Sequence, residues 1–397
     1  MKLARTVEGL APSGIRLFFD GVAEMDDVIS LGVGEPDFGT AWRVREAAIY
    51  GLERGRTTYT ANSGLLELRQ AVAGHLRRRY GLEYDPAKEL LITVGVSEAL
   101  DLALRALLDP GDEVLVPEPS YVAYPPCVVL SGGVPVALPT LAEDAFVPKA
   151  KAVTRLVTAR TRVLLLNYPN NPTGAAPTRA ELLELAEVVR RHDLTVISDE
   201  IYDRLSYDRP HVAFASLPGM AERTLLLNGF SKTYGMTGWR VGYAAGPAEL
   251  IGGMTKIHQY TALCAGRSAQ EAAIVALRVP EREVQAMVDD YDARRRLIVG
   301  GLNRIGLPCH LPAGAFYAFP SVAPTGLSAQ EFAEGLLHEG RVAVVPGDAF
   351  GAVGAGHVRC AYATGLDQIE EALERIERFV VSLQGGRRIA KGLTAAV

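Results

Sequence analysis

The stretch Asn228-Gly229-Phe230-Ser231-Lys232-Thr233-Tyr234-Gly235-Met236-Thr237-Gly238-Trp239-Arg240-Val241-Gly242-Tyr243 joins two short apolar runs, Thr224–Leu227 and Val241–Ala244. Each run has the length and composition of a buried strand. Between them lies one lysine among small and turn-forming residues, with an arginine eight positions later. A lysine held just past a strand can be desolvated, which lowers its pKa and makes its amine nucleophilic toward an aldehyde. The plainer alternative is a surface lysine in a flexible loop. The flanking sequence decides between them.

From about Glu89 the chain repeatedly sets a short apolar run before an amphipathic, helix-like stretch, the pattern of parallel βα units. Strands are expected at Leu90–Val94, Glu113–Val116, Val163–Asn167 and Thr195–Ser198, in addition to the two runs above. Helices are expected at Ser97–Leu108 and Arg179–His192. The spacing implies an α/β fold with a wound, mostly parallel sheet rather than a barrel. After Glu281 the pattern changes to a long charged helix reaching Ile305. Strands near Phe316–Phe319 and Val342–Val345 follow, with a helix between them and a last helix at Leu366–Leu383. This describes a smaller α+β domain. The expected division is a large domain over 42–282, a small domain built from 1–41 and 283–384, and a loose tail at 385–397.

The 397 residues carry 41 Lys+Arg against 46 Asp+Glu, a net charge of −5, which argues against nucleic acid or an anionic membrane as the main partner. With 48% hydrophobic and 22% charged residues, the chain is expected to be an ordinary globular protein. Cys127, Cys264, Cys309 and Cys360 lie far apart, so neither a zinc site nor a disulfide framework is suggested and a reducing cytoplasm is the expected setting. The first twenty residues contain no apolar signal-like run. From Pro119 to Ala142 no side chain is charged, but five prolines and the pair Gly132-Gly133 speak against a membrane helix, and strands and turns are expected there.

No G-x-x-x-x-G-K-[ST] or H-E-x-x-H motif occurs, and Gly32-Val33-Gly34-Glu35-Pro36-Asp37 fails the dinucleotide fingerprint at its third glycine. The seven histidines are scattered and no metal is required. Gly95-Val96-Ser97-Glu98-Ala99 lies where a hydrolase nucleophile elbow would sit, with Asp199 and His357 following in the matching chain order, but Ala99 stands at the place of the last glycine. The competing reading gives Val96, Ser97 and Glu98 a different use: free backbone N–H groups at a helix start, aimed at a phosphate.

Taken together, these blocks resemble the class I/II aminotransferases of the fold type I pyridoxal-phosphate enzymes, within the aspartate aminotransferase superfamily. The segment Gly229–Gly242 is similar to that family's cofactor-lysine motif, G-x-S-K-x-x-x-x-x-G-x-R-x-G. Leu31–Phe38, Tyr59–Gly64 with Leu68-Arg69, Asn167–Gly174, Ser198–Tyr202, Gly314–Tyr317 and His357–Arg359 resemble further family blocks in order and spacing.

The resemblance implies a role for each matching position. Lys232 matches the lysine that bonds to pyridoxal 5'-phosphate and later shuttles the proton between the substrate Cα and the cofactor. Asp199 matches the carboxylate that keeps the pyridine nitrogen protonated. Tyr202 and Asn171 match the pair that hydrogen-bonds the ring oxygen. Tyr121 takes the place of the stacking aromatic, with Tyr124 close by. The phosphate would be held by backbone N–H groups of Val96, Ser97 and Glu98, by Ser231 and by Arg240, and Tyr59 would reach it from the neighbouring subunit. A homodimer with shared sites is thereby implied. Arg359 would grip the substrate α-carboxylate, with Gly34 leaving room for it and Asn171 beside it.

Where many relatives carry a Pro-Thr-Ser-like stretch, this chain has Ala265–Gln270. That leaves Arg267 free for a phosphate or substrate contact or for a structural one. Gly14-Ile15-Arg16, Asp203, Tyr207 and Gly347–Phe350 resemble a subgroup with aspartate-, alanine-, aromatic- and diaminopimelate-type members, and no single residue selects among them. The expected activity is transfer of an amino group from an L-amino acid to a 2-oxo acid by a ping-pong cycle. The alternatives are a C–S lyase on the same fold and a serine hydrolase using Ser97. A non-catalytic regulator would need a separate DNA-binding module, which the sequence lacks.

Overall fold

In the computed structural model, which describes residues 2–10 and 25–394, seven strands form one sheet. They are β2 (Leu90–Thr93), β3 (Glu113–Glu118), β4 (Val134–Pro139), β5 (Thr161–Asn167), β6 (Thr195–Asp199), β7 (Thr224–Gly229) and β8 (Gly242–Ala245); the chain's first strand, β1 (Ile29–Ser30), lies elsewhere. Their order across the sheet is β2-β8-β7-β6-β5-β3-β4. All run parallel except β8, which is antiparallel to both neighbours. A wound, mostly parallel α/β sheet is therefore what the βα pattern produces.

Both faces of the sheet are covered, and β5 shows how. Leu164 and Leu166 pack into a core with Leu182, Leu185 and Val189 of the helix Arg179–Arg191. Val163 and Leu165 point the other way, toward Leu100, Leu104 and Met254 of the helices Gly95–Leu107 and Ala248–Thr261. A strand buried on both faces reads as a continuous apolar run, which is why β5, β6 and β7 were legible. Thr178 and Glu181 close a capping box at the start of the Arg179–Arg191 helix.

Beyond the sheet, the helix Glu281–Ile305 ends at Gly306, and β9 (Tyr317–Ala318), β10 (Val342–Ala343), β11 (Val345–Pro346) and β12 (Val358–Ala361) follow. β11-β12-β9 form a three-stranded sheet, while β1 pairs with β10 in parallel and ties the N-terminal segment to this region. The single strand expected over Val342–Val345 is thus two strands serving two sheets.

Three more expectations are corrected. Pro119–Ala142 contains a helix, Tyr124–Leu130, with prolines in its first turn, where their missing N–H groups would be unpaired anyway. It also contains β4 at the sheet edge, a position that tolerates Pro135 and Pro139. The helix layer of Trp42–Glu53, Leu66–Tyr80 and Arg267–Ala276, packed into one apolar cluster around Leu68, Val72 and Ala272, had no counterpart among the expected elements. The last helix runs over Leu366–Thr394, so the expected tail is helical up to that point. Residues 395–397 lie outside the described part. No helix among the described residues is long and apolar enough to cross a membrane.

Candidate active site

The carboxyl ends of β5, β6 and β7 open onto a cavity of about 720 Å³. In open α/β sheets this is where strand ends and helix starts leave backbone groups free for a ligand. Asn167 ends β5, Asp199 ends β6, and Lys232 follows β7 by three residues; all three line the cavity. The start of the helix Gly95–Leu107 contributes Val96 and Ser97, the loop after β3 contributes Tyr121, and Gly34, Tyr317 and Arg359 close it from the other side.

At the sheet end, Asp199 is buried and its carboxylate accepts a hydrogen bond from the Tyr124 hydroxyl at 2.8 Å and from the Ile201 N–H at 3.2 Å. Burial pushes its pKa up to about 6, opposed by the Tyr124 hydrogen bond. Lys232 Nζ donates to the Gly34 carbonyl at 2.6 Å and lies 5.8 Å from the ring centres of Tyr202 and Phe316. Burial lowers its pKa to about 8, with the Arg359 and Arg240 charges adding to the effect and Glu35 opposing it. The desolvated lysine anticipated from its sequence setting is therefore present.

The helix start beside it has no side-chain cap, so its first N–H groups have no intrahelical acceptor. Its proximity to the lysine loop depends on Gly242, where a Cβ would fall 2.8 Å from both Gly95 C and Val96 N. Any side chain at Gly242 would push this helix start away from β8. Arg240 sits in a left-handed turn, donates to Thr237 O at 3.0 Å, and lies against Gly95.

At the other end, Arg359 is 2% exposed. It donates through Nη1 to Asn171 Oδ1 at 2.9 Å and through Nη2 to Gly32 O at 2.6 Å. Its guanidinium stacks over Tyr317 and Phe350, with distances of 4.6 and 4.9 Å to the ring centres, and its buried Nε has no partner among the described residues. Desolvation lowers its pKa from a value so high that the group stays cationic. An arginine fork with a free donor, facing a cavity, is suited to a carboxylate.

Residues 26–376 match the family described as Aminotransferase class I and II. A Bacillus subtilis (strain 168) protein named as an aminotransferase, YugH, is 50% identical over 95% of this chain and 98% of its own. An aspartate aminotransferase of Pyrococcus abyssi is 45% identical over the same shares. The crystal structure of an aromatic aminotransferase from Pyrococcus horikoshii OT3 superposes with a TM-score of 0.88 at 47% identity, covering 92% of this chain and 99% of that one. The chain belongs to the class I and II aminotransferases.

As an aminotransferase it acts on amino acids and 2-oxo acids, and its family implies pyridoxal phosphate as cofactor. Of the site residues expected from sequence, Gly34, Val96, Ser97, Tyr121, Asn171, Asp199, Tyr202, Ser231, Lys232, Arg240 and Arg359 all line the one cavity. Glu98 does not: its carboxylate accepts from the Val94 N–H and pairs with His258, so only its backbone is left for a ligand. Tyr59 is 80% exposed and also lies outside the cavity lining. Arg267 is engaged with Glu271 and Thr58, and Arg16 lies outside the described residues. The hydrolase constellation does not assemble, because Asp199 is bonded to Tyr124 while His357 stacks on Phe319.

Sequence reasoning did not anticipate three contributors. Tyr124, noticed only as a neighbour of Tyr121, is the hydroxyl on Asp199. Asn167 donates to Asp199 O at 3.1 Å and accepts from Asn171 N at 3.2 Å, which joins the β5 and β6 ends. Tyr317 carried no role at all, yet its hydroxyl lies 2.8 Å from that of Tyr202.

Proposed function

We propose that this aminotransferase binds pyridoxal 5'-phosphate in the cavity and moves an amino group from an L-amino acid to a 2-oxo acid in two half-reactions. The observation that carries this reading is the joining of a half-buried lysine, its Nζ held 2.6 Å from the Gly34 carbonyl and its pKa lowered to about 8, and a buried arginine fork in a single cavity. Bound there, the cofactor supplies an aldehyde carbon for the amino group and a ring that takes up the electrons left when the Cα proton departs.

The chain's own residues divide the remaining work. The uncapped helix start at Val96 and Ser97, the Ser231 hydroxyl and Arg240 offer N–H, O–H and cationic donors suited to a phosphate. With the cofactor bound, Asp199 would hold a proton on the ring nitrogen, Tyr202 and Asn171 would offer donors to the ring oxygen, and Tyr121 would supply an aromatic face for the ring. Lys232 would anchor the cofactor and carry the proton at the substrate Cα. A pKa near 8 suits both tasks, since the amine can lose and regain a proton near neutral pH. Arg359 orients the substrate through its α-carboxylate, and Gly34 leaves space beside it.

We read the donor as an amino acid of the aspartate or aromatic kind, two of the classes named among its relatives. The working form is read as a homodimer, supported by the exposure of Tyr59, Trp42 and Tyr260. The large domain is placed at 42–282 and the small domain at 1–41 with 283–384, with closure of one on the other expelling water. Steady-state kinetics with an L-amino acid and a 2-oxo acid test the cycle: parallel reciprocal plots and stoichiometric exchange of the amino group are expected. Ammonia and pyruvate released without a 2-oxo acid would instead assign a lyase.

A further inference from the structure

The Gly314-Ala315-Phe316-Tyr317 block is left without a task by the roles above. Its place in the fold is well defined. The Gly174 carbonyl accepts from both Ala313 N and Gly314 N at 2.9 Å, and Leu205 O accepts from Ala315 N at 2.8 Å. The segment is thus held against the loops that follow β5 and β6. β9 then pairs with β12, setting Tyr317 opposite Ala361, two residues past Arg359. Tyr317 is buried, and its side chain meets three of the proposed site residues. Its hydroxyl lies 2.8 Å from the Tyr202 hydroxyl, and its ring carries the Arg359 guanidinium at 4.6 Å. A Cβ built on Gly34 would stand 3.0 Å from that same hydroxyl.

From this geometry we infer that Tyr317 is a positioning residue that donates its hydroxyl hydrogen to Tyr202 and, through its ring, fixes Arg359, so that one side chain links the ring-oxygen contact to the carboxylate grip. The inference rests on the cofactor reading above. A tyrosine hydroxyl has one hydrogen to give and lone pairs to accept with. If Tyr202 is to donate to an oxygen of the cofactor ring, its contact with Tyr317 has to run in the other direction. The chain of donors then leads from Tyr317 through Tyr202 to the ring, and each bond in such a chain polarises the next. Phe316 cannot substitute, as it has no hydroxyl. The ring of Tyr317 acts separately, as an apolar, quadrupolar seat for a guanidinium that has lost its water.

The charged and titratable groups around this pair are Arg359 on β12, Asp199 at the end of β6, Tyr121 past β3 and Glu35 on the N-terminal loop, together with Lys232 past β7. A tyrosine-to-phenylalanine change alters none of these groups and removes only the hydroxyl.

The test is a pH titration of the visible absorbance of the enzyme loaded with pyridoxal phosphate, for wild type, Tyr202→Phe, Tyr317→Phe and the double variant. A donor at the ring oxygen stabilises its anionic form, so Tyr202→Phe is expected to raise the midpoint. Tyr317→Phe should raise it in the same direction by a smaller amount, and should add nothing in the Tyr202→Phe background. Tyr317→Leu, which also removes the ring, should in addition raise KM for the amino acid about tenfold relative to Tyr317→Phe, the scale of a desolvated cation–π contact. An unshifted midpoint, a shift of opposite sign, or full additivity in the double variant would overturn the role of Tyr317. Should a single variant be too unstable to load, the Tyr202→Phe background and Tyr317→Leu still decide the question, each checked by its melting temperature. A wild-type protein that develops no visible band would sink the cofactor reading itself, an outcome distinct from all of these.

Discussion

The two ends of the cavity are built in contrasting ways. The ring end is an alignment of neighbouring strand ends: Asn167, Asp199 and Lys232 belong to adjacent parallel strands or the turn just after one, and their relative placement follows from the register of β5, β6 and β7. The carboxylate end is assembled across the chain. Arg359 on β12 reaches Gly32, 327 positions away, and Asn171, 188 positions away. The electrostatics differ too. Asp199 is a buried anion whose pKa is raised to about 6, with one tyrosine hydroxyl on its carboxylate, whereas Arg359 keeps its charge and donates through both terminal nitrogens, while its Nε has no partner among the described residues. A parallel sheet can present a tunable titrating group at a strand end with little help. A buried fixed charge needs partners drawn from several elements, and so couples the site to the position of the second region.

If the ring end works through a buried anion, Asp199→Asn should have the largest effect, lowering kcat about 10²- to 10⁴-fold, from the ~3–5 kcal/mol cost of breaking a buried charge pair. A loss under threefold in a rapid-quench half-reaction would remove Asp199 from the chemistry. Arg359→Lys should raise KM for the amino acid about 30-fold with a smaller change in kcat, because lysine keeps the charge but not the fork. Equal losses in both parameters would mean that Arg359 acts in the chemical step.

Tyr124→Phe should cost about tenfold in kcat, the ~1.5 kcal/mol of a hydrogen bond to a charged group. The sign of its pH effect follows from the Tyr124 bond, which holds the Asp199 pKa down. Without it the anion is lost at higher pH, so the acid limb of the rate profile should move upward; a downward move would refute the contact's role. The mildest effect concerns Lys232, whose neutral form is the nucleophile. The rate at which added pyridoxal phosphate develops its band, followed by stopped flow, should rise with pH and level off above about 8. A profile still climbing steeply past pH 10 would show an ordinary exposed lysine.

The contrast between the ends also explains what could be read from sequence. The strands β5, β6 and β7 announce themselves because burial on both faces leaves no room for polar alternation. The proposed site residues Lys232, Asp199 and Asn171 stand at strand ends and turns, which fall in short, contiguous motifs. Tyr317 and Tyr124 were not legible in this way, since their roles depend on a hydroxyl meeting a partner across the fold, 115 residues from Tyr202 and 75 from Asp199. The helix Tyr124–Leu130 was hidden by prolines that a helix interior forbids but a first turn accepts. The split of Val342–Val345 into β10 and β11 depends on which sheet each half joins, which no local pattern encodes.

The most direct measurement is the absorbance spectrum of wild-type and Lys232→Ala protein with added pyridoxal phosphate, followed by L-amino acids one at a time and then a 2-oxo acid. A visible band in the wild type that amino acids bleach and a 2-oxo acid restores, with no such cycle in Lys232→Ala, is the expected result, and the most effective amino acid names the donor. A wild-type protein that stays colourless, or a Lys232→Ala protein that bleaches and recovers at the wild-type rate, would contradict the assignment of Lys232 and Arg359 to a single transaminating site.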